Sequence, residues 1–77
     1  MISAYVLIQT DVGTAGQVAR AAAEIDGVQQ AQSLAGPYDV IVHAEAPSID
    51  ALGRLVVSRI QAINGVSRTL TCSVVHL

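Results

Sequence analysis

An α+β fold, with two helices laid on one face of a four-stranded antiparallel sheet, is predicted by three observations. Four stretches rich in β-branched residues and two of helical periodicity follow one another in the order β-α-β-β-α-β. Turn-forming residues stand between successive stretches. The chain has 77 residues and neither Trp nor Phe, so it can hold only one small core, built from aliphatic side chains.

"ISAYVLIQ", residues 2–9, reads as a strand whose pattern is broken by "TDVGTAG". A helix follows: Thr14 with Gln17 matches a capping box, Val18, Ala22 and Ile25 recur at helical spacing, and Gly27 stands where a left-handed C-cap belongs. "VQQAQSLA", residues 28–35, is a less apolar strand suited to a sheet edge, and "GP" turns the chain into a third strand, "YDVIVHAEA". Pro47 and Ser48 open the second helix, with Ser48 as N-cap and Asp50 in the first turn, where the helix dipole favours a negative charge. Ile49, Leu52, Val56, Ile60 and Ile63 form its buried stripe, Asn64-Gly65 ends it, and "VSRTLTCSVVHL" is the last strand.

This order is the split βαβ, or ferredoxin-like, arrangement, expected as one domain over residues 1–77. It leaves one sheet face bare. Alternation sends Ile2, Ala4, Val6, Ile8, Val40, Val42, Ala44, Leu70, Cys72 and Val74 to the helices, and Tyr5, Leu7, Ile41 and Val75 to the open face. Those four are too apolar for water. A sheet-to-sheet homodimer is therefore expected, with Thr69, Thr71 and Ser73 at the less apolar parts of the contact.

Composition supports self-association and excludes several classes. The chain is 52% hydrophobic and 13% charged, more apolar than one small core can hide. Its net charge of -2, from four Arg, no Lys and six carboxylates, does not suit a phosphate-neutralising surface, so no direct nucleic-acid partner is expected. With no secretory pattern and no apolar run of roughly 20 residues, a cytoplasmic protein with no membrane partner is expected. His43 and His76 fall on different strands and opposite faces, and the lone Cys72 reads as a buried structural thiol, so no metal and no cofactor are expected. "GTAG", from Gly13 to Gly16, is not a phosphate-binding loop, and no catalytic triad spacing is present. The chain does not read as an enzyme.

"AGPYD" leaves two readings open. In one it is a turn, where Gly36 takes a backbone angle other residues avoid, Pro37 sets the next, and Asp39 accepts hydrogen bonds from the loop. In the other, the freed backbone groups, the Asp39 carboxylate and the Tyr38 phenol form a small polar pocket for an amine-bearing ligand.

The stretch "GPYDVIVHAEAPSIDALGRLVVSRIQAINGVSRTLTCSVV" resembles the effector-binding domain of the Lrp/AsnC family, the feast/famine transcription regulators. A Gly-x-Tyr-Asp turn, an amphipathic helix, a Gly-Val and a Thr-x-Thr strand follow in that order, here Gly36, Tyr38 and Asp39, then Gly65-Val66, then Thr69 and Thr71. The resemblance implies a domain that dimerises through its sheets, assembles further into even-numbered rings, and binds amino acids or related metabolites in clefts between dimers. Carried over, Gly36, Pro37, Tyr38 and Asp39 belong to the cleft, with Asp39 toward a ligand ammonium and Thr69 and Thr71 nearby. Family regulators also carry an N-terminal helix-turn-helix domain, whereas here the first strand begins at Ile2. The expectation is a stand-alone sensing domain that acts alone or co-assembles with a full-length regulator. Two other classes compete: an oligomerisation module with an empty cleft, and a small dimeric ferredoxin-like enzyme, against which the aliphatic inward positions argue.

Overall fold

The computed structural model describes residues 1–76. Its elements are β1 (Ile2–Thr10), α1 (Ala15–Ala23), β2 (Val28–Ser33), β3 (Val40–Ala46), α2 (Ile49–Leu55, continued by a π-helical turn over Val56–Ile60) and β4 (Val66–Ser73). The strands lie in the order β2-β3-β1-β4 and pair antiparallel throughout, with β2 at an edge, as its polar sequence implies. This is the ferredoxin-like arrangement.

The core lies between sheet and helices and is wholly aliphatic. Val6 and Ile8 of β1 and Val40 and Val42 of β3 lose all contact with water, as do Val18 of α1 and Ile60 of the π turn. Each such side chain contributes about 1.5–3 kcal/mol by leaving water. β3 runs buried and half-buried in strict turn, and β1 alternates from Ala4 to Ile8, because the helices cover one face of these central strands and leave the other open.

The helix ends differ from the expected devices. Ser48 caps α2 as its sequence implies: its backbone is extended and its Oγ accepts the Ala51 N–H at 3.1 Å. Thr14 precedes α1 but forms no capping box. Its backbone is near-helical, with ψ 0°, and its hydroxyl donates to the Asp11 carbonyl at 2.8 Å instead. Gly27 lies beyond the helix end, in the turn into β2, with φ 97°. A Cβ there would meet the Glu45 carbonyl oxygen and Leu55 Cδ1, each at 2.8 Å, so the turn needs glycine for space as well as for conformation.

Within α2, Leu52, Val56 and Ile60 all face the core, whereas Ile49, expected in the same stripe, is 59% exposed. Four residues turn an α-helix by about 400°, so a stripe at every fourth position drifts by about 40° per step. The π turn, in which the Gln61 N–H reaches back to the Val56 carbonyl at 2.9 Å, widens the helix and holds Val56 and Ile60 inward.

The phase of β4 is the reverse of that expected. Tyr5 pairs with Cys72 and Leu7 with Leu70, and directly opposite residues share a face. Leu70 and Cys72 therefore join Tyr5, Leu7 and Ile41 on the open side, and both are exposed. Thr69, Thr71 and Ser73 oppose Ile8, Val6 and Ala4, on the helix side. A one-residue change of phase exchanges the two faces of a strand, and on this edge strand polar residues turn inward because the helices do not cover it fully. Thr71 and Ser73 thus do not share the open face assigned to them, and Val75 lies past the end of β4, 73% exposed.

Candidate functional site

The segment between β2 and β3 is held by backbone bonds at both ends. The Leu34 N–H donates to the Asp39 carbonyl, and the Asp39 N–H donates to the Ile8 carbonyl, each at 2.8 Å. The register of β1 against β4 shifts between Gln9 and Thr10. There Asp39 Oδ2 accepts the Thr10 N–H at 2.8 Å, a bond that ties the loop to the end of β1. Gln9 adds a bond from its Nε2 to the Pro37 carbonyl at 3.1 Å. The carboxylate is thus engaged by the backbone of β1, whereas the turn reading of "AGPYD" expected its donors within the loop itself.

The remaining loop residues are less constrained. Pro37 is exposed, and Tyr38 and Asp39 are half-buried. Gly36 is exposed and does not take a positive φ, and a Cβ on it would meet nothing within 4 Å. The expectation that it adopts a backbone angle other residues avoid is corrected: the turn bends without it.

Thr69 and Thr71 are not brought to this loop within one chain. Thr69 opposes Ile8, whose other partner is Val40, so β1 lies between the threonine and the start of β3, a separation of about 10 Å. Its Oγ1 accepts a hydrogen bond from Gln61 Nε2 at 2.9 Å. Thr71 and Ser73 edge a groove of about 320 Å³ beside α2, floored by Leu52 and Val56 and open past Ile49 and Val57.

The open face carries a cluster that sequence reasoning did not assemble. The His43 ring stacks on Tyr5 with centroids 4.8 Å apart and planes at 18°, and its Nε2 lies 2.8 Å from Ser3 Oγ. Gln30 and Gln32 of β2 flank the strand side away from Tyr5, and Ile41 follows the ring along β3. The signal was available: Ser3 and Tyr5 share a phase on β1, His43 shares one with Ile41 on β3, and only the register between the strands was missing. Cys72, expected to be buried, is a free and exposed thiol on this face. Among the described residues no group of three or more His, Cys, Asp or Glu is placed to hold a metal ion.

Residues 3–76 match the family model for the Lrp/AsnC ligand binding domain. The chain belongs to the Lrp/AsnC family. An uncharacterized HTH-type transcriptional regulator of Pyrococcus abyssi is 33% identical over 72 residues, which cover 90% of this chain and 48% of the relative. The chain thus spans about half the length of the curated relatives it matches. Among solved structures, a protein of Thermus thermophilus superposes with a TM-score of 0.93 at 30% identity, covering 100% of this chain and 96% of that one. A transcriptional regulator of Neisseria meningitidis, solved as a complex with L-Met, shares the fold with a TM-score of 0.85 at 17% identity, over 97% of this chain and 50% of its own.

In this Lrp/AsnC domain the Gly-x-Tyr-Asp turn is a firmly bonded corner at one end of the sheet, and the Thr-x-Thr pair is on the helix side of an edge strand. Asp39 offers negative charge on a carboxylate that has one oxygen already engaged by the backbone. No helix among the described residues is long and apolar enough to cross a membrane.

Proposed function

We propose that this chain is a single effector-sensing and oligomerisation domain that binds a small amino acid or related metabolite. In this reading the ligand occupies clefts between dimers, and the domain acts alone or alters the assembly of a full-length regulator. The observation that carries the reading is the family match across residues 3–76. The L-Met complex of the Neisseria relative supports an amino acid as the ligand class. The relatives' names point to regulation of transcription rather than to catalysis.

The cleft residues in this proposal are Gly36, Pro37, Tyr38 and Asp39 from one chain. Because Thr69 and Thr71 lie across β1 from that loop, any share they take in the same pocket comes from a neighbouring chain. The dimer contact uses the open face, with Tyr5, Leu7 and Ile41 joined by Leu70 and Cys72. A ligand that binds only the native state raises the melting temperature by mass action. Thermal denaturation with each common amino acid at millimolar concentration is expected to show an upward shift for one or a few of them, Met among the first to test. No shift with any of them overturns the sensor reading.

A second reading, an oligomerisation module without ligand, is favoured by one observation: Asp39 already has a partner in the Thr10 N–H. The same titration separates the two.

A further inference from the structure

The open face carries one imidazole that is already fixed in place by a stack and a hydrogen bond. His43 sits mid-strand on β3, half-buried, with Tyr5 stacked on one side and Ser3 Oγ at its Nε2. The groups around it can be named by element. β1 contributes Tyr5 and Ser3, β2 contributes Gln30 and Gln32, and β4 contributes Cys72 opposite Tyr5. Along β3 the next residue of the same phase is Glu45, which opposes Ser3. Arg68 opposes Gln9, toward the other end of the face, and the helices lie on the opposite side of the sheet. The ring thus has Ile41 and Glu45 as its same-face neighbours on β3, uncharged groups on the two flanking strands, and the apolar Leu7 and Leu70 further across the face.

A neutral imidazole has one N–H and one lone pair, and the Ser3 hydroxyl can serve either at Nε2. An imidazolium must place two N–H donors. In water the second is solvated. Against the apolar face of a second sheet it is stripped of water, and an unpaired charge there is strongly disfavoured.

We propose that His43 makes association of the two sheets depend on pH, the neutral ring being accommodated in the contact and the protonated ring separating the copies. The inference rests on the sheet-to-sheet dimer proposed above and adds to it the condition under which the dimer comes apart. The sign follows from linkage: if association excludes the proton, protonation opposes association, so the dimer tightens as pH rises and weakens as pH falls through the range where imidazole ionises. Two copies bring two histidines, each contributing up to about tenfold per pH unit below that range.

The experiment is sedimentation equilibrium of the full chain at about pH 7.5 and about pH 5.5, with circular dichroism on the same samples to follow the helices. Wild type is expected to lose roughly ten- to a hundredfold in association constant at the lower pH while keeping its helical signal. His43→Phe, which keeps a ring for the Tyr5 stack, and His43→Gln, which can still bond Ser3, are expected to associate equally at both. A wild-type dimer equally tight at both pH values overturns this inference and leaves the dimer reading intact. An equal acid loss in both His43 variants, or loss of helix in wild type and variants alike, also overturns it. A monomer at both pH values overturns the dimer reading and the inference with it.

Discussion

Asp39 answers at the scale of a residue what a carboxylate does at the start of a strand in a chain with so few charges. Its Oδ2 takes up the Thr10 N–H where the ladder shifts register. Asp39→Ala leaves that donor without its partner and is expected to lower stability by about 1–3 kcal/mol, read as a fall in urea midpoint with unchanged slope. Asp39→Asn keeps an acceptor and should lose less stability. If the charge also meets a ligand ammonium, Asn costs about 1.5–3 kcal/mol of amino-acid affinity, measured by calorimetry on the folded mutant. Unchanged affinity beside a lowered midpoint would leave the carboxylate to the turn alone. The two glycines divide in the same way. Gly36→Ala meets open space and should leave the melting temperature unchanged or slightly higher, whereas Gly27→Ala forces a Cβ against Glu45 and Leu55 at positive φ and should lower it by several degrees in the same thermal scan.

Among the elements, β4 is where sequence and structure diverge most. The central strands were legible because burial on the helix face alone imposes alternation on β1 and β3, and "AYVLI" and "VIVHA" carry it at their buried positions. The threonines of β4 gave no such guide: on an edge strand beside an incomplete helical cover either phase leaves some polar residues half-wet. The register with β1 decides it, and register is a pairwise property that no single strand displays. Leu70, 46% exposed, lies on the open face, so Leu70→Asp should weaken self-association while leaving the circular dichroism spectrum of the chain near wild type. Thr71→Asp, at the groove on the other side, should leave self-association unaltered. Either mutant behaving as the other is expected to would reinstate the phase expected from the sequence, with Leu70 toward the helices. The π turn was likewise hidden, since "LVVSRI" has no glycine or proline to mark it; its reason is the four-residue spacing of the buried stripe.

For the whole molecule, the order of elements sufficed to reach the fold, because each turn signal falls between two periodic stretches and few topologies satisfy a helix-strand alternation of this length. The candidate site was less legible. Its loop was found from the Gly-Pro turn signal and the Gly-x-Tyr-Asp resemblance, but the bond that occupies Asp39 and the stack at His43 arise from contacts across 29 and 38 positions of sequence, Thr10 with Asp39 and Tyr5 with His43. An open face bearing Tyr5, Leu7, Ile41 and Leu70 should not persist in a solitary chain. Sedimentation at micromolar concentration is expected to give a dimer or a larger even-numbered assembly, and a species of 8.0 kDa would contradict this. Ile41→Asp should dissociate it.

The aliphatic core carries an optical consequence. With no Trp and no Phe, the near-ultraviolet signal of the chain comes from two tyrosines, and neither lies in the core. Tyr5 stands on the open face and Tyr38 in the loop ahead of β3. Tyrosine emission is therefore blind to the packing of the interior and sensitive to the two surfaces that matter. Tyr38→Phe leaves a reporter of assembly, and Tyr5→Phe leaves a reporter of the loop. The protein thus supplies, without any label, separate readouts for the proposed self-association and for the proposed ligand.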